Sequence, residues 1–222
     1  MHTTCWTLID QAAAGSAPER TAFAEKYYPV VIAYMRARWR SSKLIEEAED
    51  ASQEVFAECF RNDGPLGRVD RNRPSGFRPF LYGLARNVAC RVEQRCGRFP
   101  NSGADVFEQI EVDETSLSAV FDRAWAVTLM KEAAKRQLQA ARAKGKRAIK
   151  RVDLLQLRFR DGLPIREIAK QWQIETARLH SEYKVARKEF LRALMEVVSE
   201  HFPDSTNRVL EEKCHELLDY LR

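Results

Sequence analysis

Residues 163–191 read LPIREIAKQWQIETARLHSEYKVARKEFL. Ile165, Ile168, Ala169 and Trp172 recur at three- and four-residue steps, the spacing that buries one face of an α-helix. Ile174 falls in a break, and Leu179, Tyr183, Ala186 and Phe190 start a second row of the same period. Two short amphipathic helices joined so closely read as a helix-turn-helix or as an ordinary helical hairpin. Ala169 is small where the two helices of such a motif approach each other. The polar face of the second helix carries Arg178, His180, Ser181, Lys184, Arg187 and Lys188. In this motif the first residues of the second helix meet base edges in the major groove and later ones meet phosphates. Gln173 stands where the tight turn usually has glycine, so the turn is either left-handed at some cost or differently built. Glu175 and Glu182 fall near the expected DNA face and would repel phosphate, although glutamate can also accept a hydrogen bond from cytosine.

Working outward, a second unusual region covers residues 44–98. LIEEAEDASQEVFAECF (44–60) places Leu44, Ala48, Ala51 and Val55 on one helical stripe. Glu47, Asp50, Glu54 and Glu58 share the neighbouring face, and from Leu44 to Cys59 there are six acids and no base. Like charges at that spacing cost an isolated helix about 0.2–0.5 kcal/mol per pair. The row is a solvated acidic face or a docking surface for a basic partner. A metal site on Asp50 and Glu54 lacks histidine and a matching second acidic cluster. Asn62-Asp63-Gly64-Pro65 then stops the helix. The loop that follows holds Arg68, Arg71 and Arg73, which could close around an extruded base.

FRPFLYGLARNVACRVEQRCGR (77–98) holds the next helix, over about 77–96. Phe77, Phe80, Leu81, Leu84, Val88 and Val92 form its buried stripe, while Arg78, Tyr82, Arg86, Asn87, Arg91 and Arg95 lie elsewhere. Arginine offers phosphate a planar fork of donors and stacks on bases. Asparagine can pair with a base edge, and aromatic rings stack on unpaired bases. Arginines that merely keep a helix soluble would look similar.

The totals leave room for one large or two small domains in 222 residues. A net charge of +5 is modest, but it is unevenly placed. Residues 61–98 hold nine arginines and three acids, 131–151 nine bases and one acid, and 101–122 six acids and no base. The five cysteines form no CxxC and the four histidines complete no zinc pattern, so the thiols are expected reduced and incidental. No apolar run spans a bilayer and no signal peptide is visible; a cytoplasmic protein without membrane insertion is expected. No nucleophile–base pair, phosphate loop or metal cluster suggests an enzyme or a cofactor. Strand signals are nearly absent, so the expected fold is all-α. The helices run from about Trp6 to Trp39 with a break at Gly15–Pro18 and a perturbing Pro29, over 44–60, over 77–96, and from about 117 to 202. A short amphipathic helix, 206–222, closes the chain.

At this point EDASQEVFAECF, FRPFLYGLARNVACRVEQR and GLPIREIAKQWQIETARLHSEYKVARKEFL together resemble a bacterial sigma-70-type RNA polymerase sigma factor of the compact extracytoplasmic-function group. The first two resemble its regions 2.2 and 2.3–2.4, the third its region 4.2, and the likeness covers about residues 6–98 and 117–195. It implies two small helical domains on an acidic linker: region 2 over 1–98, the linker over 99–117, region 4 over 118–202, and an extra helix over 203–222. It implies docking on the core polymerase through Glu47, Asp50, Gln53 and Glu54. Capture of the melted downstream promoter element would fall to Arg68, Arg71, Arg73, Arg78, Tyr82, Arg86, Asn87 and Arg91. Arg178, His180, Ser181, Lys184, Arg187 and Lys188 would bind the upstream element as duplex. The implied partners are core RNA polymerase and promoter DNA; an anti-sigma factor is a frequent further partner in this group.

Two segments depart from the family pattern. LMKEAAKRQLQAARAKGKRAIKRVDLLQLRF is longer and more basic than the usual lead into region 4, and adds phosphate contacts or is a solvated face. The final helix, with Leu210, Cys214, Leu217, Leu218 and Leu221 on one stripe, packs on region 4 or makes a regulatory contact. The rival reading is a stand-alone helix-turn-helix regulator, which needs no acidic docking stripe and often dimerises. A helical nuclease working through Asp50 and Glu54 is the third.

Overall fold

The computed structural model describes residues 5–71, 76–98 and 113–220, and for Arg98 the backbone alone. The fold is all-α: among the described residues every regular element is a helix. They are α1 (Cys5–Ala13), α2 (Ala17–Arg38), α3 (Ala48–Cys59), α4 (Arg78–Arg98), α5 (Glu114–Lys144), α6 (Lys146–Phe159), α7 (Ile165–Trp172), α8 (Thr176–His201) and α9 (Asn207–Asp219). Short 3-10 turns at Lys43–Glu47 and Pro65–Arg68 precede α3 and α4. The helix expected over 6–39 divides at the foreseen place. Gly15 has φ +99°, and Pro18 stands in the first turn of α2, where its missing N–H is no loss. Pro29 lies inside α2, which continues past it to Arg38.

Proximity divides the chain into two compact units. The first holds residues 1–128, 200–206 and 215–222, the second 129–199 and 207–214. The change of unit falls inside α5, after Thr128; most of the segment expected as a linker, 99–117, lies outside the described residues.

The core of the first unit is aromatic. Phe23, Tyr27, Val30, Val31, Tyr34 and Met35 of α2 are fully buried, as the period of that segment requires. Ala48, Ala51 and Val55 of α3 and Leu81, Leu84, Val88 and Val92 of α4 are buried too. Trp125 of α5 stacks on Tyr27 at 5.4 Å, and Phe121 meets Tyr82 edge-on at 5.2 Å. These rings account for the membership of residues 114–128 in this unit. His201 meets Trp125 edge-on, and its Nδ1 lies 3.2 Å from the Cys5 sulfur. Gly76, with φ +66°, has no room for a Cβ: one built there would come within 2.7 Å of the Phe202 ring.

In the second unit α6, α7 and α8 close on Leu154, Ile165, Ile168, Ala169 and Leu179. Leu157, Leu163, Trp172, Ile174 and Tyr183 pack against this cluster. Ala141, Ala148 and Val152 join α5 to α6 across a corner at Gly145, whose φ of +94° favours glycine. Gln137 of α5 donates to the Ala186 carbonyl at 3.1 Å. In α9 Leu210 and Cys214 are buried, and so is Leu217, which belongs to the first unit; Leu221 lies outside the described residues.

All five cysteines are free. Burial pushes the Cys59 thiol up to about 12 and those of Cys5 and Cys214 to about 11, so these three stay protonated at neutral pH.

Candidate docking and nucleic-acid surfaces

On α3 and the turn before it, Glu47, Asp50 and Gln53 are exposed, opposite the buried row Ala48, Ala51 and Val55. Ser42 caps the preceding turn, accepting from the Leu44 N–H at 3.2 Å. Glu54 and Glu58 are only half exposed. Arg95 of α4 donates to Glu54 at 2.6 Å, and Arg91 pairs with both Glu58 and Glu54. The repulsion along the acidic row is thus relieved at one end from the next helix. Sequence alone could not show this, because the partners are far apart in the chain. The open part of the row is Glu47 and Asp50, with the exposed Gln53 beside them.

The α4 surface gathers most of the residues expected to meet the downstream element. Arg78, Tyr82, Arg86, Asn87 and Arg91 all lie outside its buried stripe. Several already hold carboxylates from α5. Arg78 donates through Nε to Asp122 and through Nη2 to the Ser118 hydroxyl, each at 2.7 Å. Its guanidinium carbon lies 4.9 Å from the Tyr82 ring centre and 5.4 Å from that of Phe121. Tyr82 donates its hydroxyl to Glu114 Oε2 at 2.9 Å, and Arg86 donates Nε to Glu114 Oε1 at 3.1 Å. Partial burial pushes the Glu114 carboxyl up, but the bonds from Arg86, Tyr82 and Arg38 outweigh it and hold it below the usual carboxylate range. Asn87 is exposed.

In the loop, Arg68 donates to the Asp63 carbonyl at 3.1 Å, and Arg71 forms an ion pair with Asp10 of α1. Arg73 lies outside the described residues. Leu66 is buried and anchors the loop on the core. A hollow of about 350 Å³ lies beside it, lined by Glu58, Arg61, Asp63, Pro65, Arg68, Val69, Asp70 and Phe80.

Behind α4, Arg38 is a residue the sequence reading missed. Its side chain is 4% exposed, and the guanidinium grips Glu93 with two donors, at 2.7 and 3.1 Å. Trp39 donates to the same carboxylate at 2.9 Å, and Arg38 also reaches Tyr34 and Glu114. Burial alone would lower the Arg38 pKa; the bonds to Glu93 together with the charges of Tyr34, Glu93 and Cys90 outweigh it and raise it. This buried fork fixes α2 against α4. Its only sequence signal is an arginine beside a tryptophan at the end of an apolar helix.

In the second unit the stretch read as a helix-turn-helix or hairpin forms two helices, α7 and α8, joined by a tight turn. Gln173 takes φ 52° and ψ 44°, the left-handed form. The Ile174 N–H donates to the Ala169 carbonyl at 3.0 Å and the Gln173 N–H to Lys170 at 3.2 Å, the paired bonds that end helices of this kind. Arg178, His180, Ser181, Lys184, Arg187 and Lys188 are all exposed. His180, Ser181, Lys184 and Lys188 stand opposite the buried row Leu179, Ala186 and Ala193, with Arg178 and Arg187 to either side. Glu182 points to α6: Arg147 donates to it through Nε at 3.1 Å and Arg151 at 3.4 Å. Arg151 also holds Glu189 with two donors. Part of the basic segment therefore neutralises α8's own acids. Lys144, Lys146 and Lys150 remain exposed, with Lys150 5.8 Å from the Trp172 ring centre.

Among the described residues no group of three or more histidine, cysteine or acidic side chains is placed to hold a metal ion, and no helix is long and apolar enough to cross a membrane. No protein-family model matches the chain, and no curated protein matches it.

Proposed function

We propose that this chain is a sigma factor, which binds core RNA polymerase, directs it to specific promoters and assists their melting. The observation that carries the reading is the pairing of surfaces on adjacent helices. α3 exposes Glu47, Asp50 and Gln53, and α4 beside it offers an arginine, tyrosine and asparagine face. The first suits a basic protein partner and the second suits unpaired bases with their phosphates. The hollow beside Arg68 and Phe80 supports the same reading, since a half-apolar hollow with one aromatic wall and two arginines suits an extruded base. The exposed cations of α8, on a helix-turn-helix with the paired bonds of its turn in place, support a duplex contact upstream.

The reading assigns docking to Glu47, Asp50 and Gln53, with Glu54 at the border where Arg95 and Arg91 hold it. Region 2 would correspond to the first unit and region 4 to the second, with α5 running through both. The anti-sigma partner and the cytoplasmic location stay part of this proposal.

Transcription of a genomic fragment library by core polymerase, with and without this protein, tests it. Transcript starts clustered at a shared sequence only when the protein is present would support the reading. Starts unchanged by the protein would refute it, and tight duplex binding without polymerase would favour the stand-alone regulator.

A further inference from the structure

We propose that Glu114, Ser118 and Asp122 at the start of α5 occupy the α4 face in place of nucleic acid, so that a single strand must displace them to bind. The inference rests on reading that face as a nucleic-acid surface. Its geometry is that of an internal stand-in. Carboxylates sit in the Arg78 and Arg86 forks at 2.7 and 3.1 Å, where phosphate oxygens would sit. The Ser118 hydroxyl fills the second donor of Arg78, and Glu114 takes the Tyr82 hydroxyl. Phe121 lies edge-on to Tyr82 and also under the Arg78 guanidinium, covering aromatic surface on which a base would stack.

The cover is built to yield in its outer layer. Phe121 is fully buried and Trp125 nearly so, so they hold α5 on the core. Outside them, Glu114 and Arg86 are 40% and 50% exposed, and half-exposed pairs of this kind are individually weak. Glu114 is also the first residue of its helix, and terminal turns open at small cost. Glu114 thus exchanges with phosphate first, and the Arg78–Asp122 pair, 24% and 17% exposed, gives way after it while the rings stay in place. Asn87, exposed, is left available to a base. Free protein accordingly holds single strands weakly, and engagement needs either a high local concentration of melted DNA or a partner that draws the start of α5 away.

The test is fluorescence anisotropy of the full chain with a labelled mixed-sequence single-stranded DNA. Glu114→Ala/Asp122→Ala should bind about tenfold tighter than wild type, because both carboxylates that compete for the arginine forks are gone. A control of equal charge change, Glu25→Gln/Glu46→Gln, should gain far less. Adding Arg78→Ala/Arg86→Ala should erase the gain. If the acid variant binds no tighter than the control while Arg78→Ala/Arg86→Ala weakens the wild type, the face binds DNA uncovered and this inference is wrong. If the arginine variant changes binding in neither background, the nucleic-acid reading of α4 fails and carries the inference with it. Should the acid variant not fold, hydrogen exchange of the wild-type chain decides. Saturating oligonucleotide should lower protection over residues 117–121, and unchanged or higher protection there overturns the inference.

Discussion

Gln173 and Glu114 show how single side chains set the two candidate DNA surfaces. A left-handed residue other than glycine costs about 1–2 kcal/mol, and Gln173 bears that cost at the turn between α7 and α8. Gln173→Gly removes it but adds freedom to the unfolded chain, so the net gain should be about 0.5–1 kcal/mol. Urea unfolding would read this directly; a loss of stability would mean that the Gln173 side chain has a structural role. Glu114 has a carboxyl whose folded pKa is depressed. Its contribution is therefore complete above the unfolded carboxylate value, about 4.3, and is lost as pH falls through the lower folded value. The melting temperatures of wild type and Glu114→Ala should differ at neutral pH and converge on acidification below about pH 4. A gap that persists to the lowest pH would contradict the pairing with Arg86, Tyr82 and Arg38. The partners of Glu114 were not legible in the sequence, since Arg38 and Arg86 meet it only once α2, α4 and α5 are packed.

At the scale of elements, apolar period located the helices well. The rows on α2, α3 and α4 are buried nearly residue for residue, because three- and four-residue spacing leaves only one face to bury. What period could not supply was the fate of the charges. The acidic row of α3 reads as uniformly open, yet Glu54 and Glu58 belong to Arg91 and Arg95. Glu182 reads as a liability on the recognition helix, yet it is turned to Arg147 and Arg151. The basic lead into α7 reads as either phosphate contact or solvated face, and two of its arginines serve α8 instead. With Glu182 removed from consideration, the helix-turn-helix presents cations of two kinds. Arg178, in the first turn of α8, should read bases, and Lys188, three turns on, should meet phosphate. Arg178→Ala should cost about 1–3 kcal/mol on the preferred duplex and little elsewhere. Lys188→Ala should weaken all sequences alike and lower the salt slope by about one. Equal effects from both substitutions in a salt titration would remove that division.

For the whole molecule, the segregation of charge along the chain is the property that most constrains function. Acids gather in α3 and at the start of α5, arginines in α4, and lysines and arginines around Gly145. Composition and order made the all-α architecture legible and suggested two bodies. They did not reveal that α5 begins in one unit and ends in the other, because its aromatic residues Phe121 and Trp125 look like any helix core until Tyr82 and Tyr27 are beside them. The pairing of Glu54 also dictates which substitutions probe docking cleanly. Glu54→Arg would set a third cation against Arg91 and Arg95 and strain the fold, whereas Glu47 and Asp50 are exposed. The most direct measurement is co-purification of the full chain with bacterial core RNA polymerase free of any sigma factor, beside Glu47→Arg/Asp50→Arg. The account predicts stoichiometric association of the wild type, lost in the variant while its helical content and melting temperature are retained. A well-folded wild type that does not associate, or a variant that associates equally well, would contradict it.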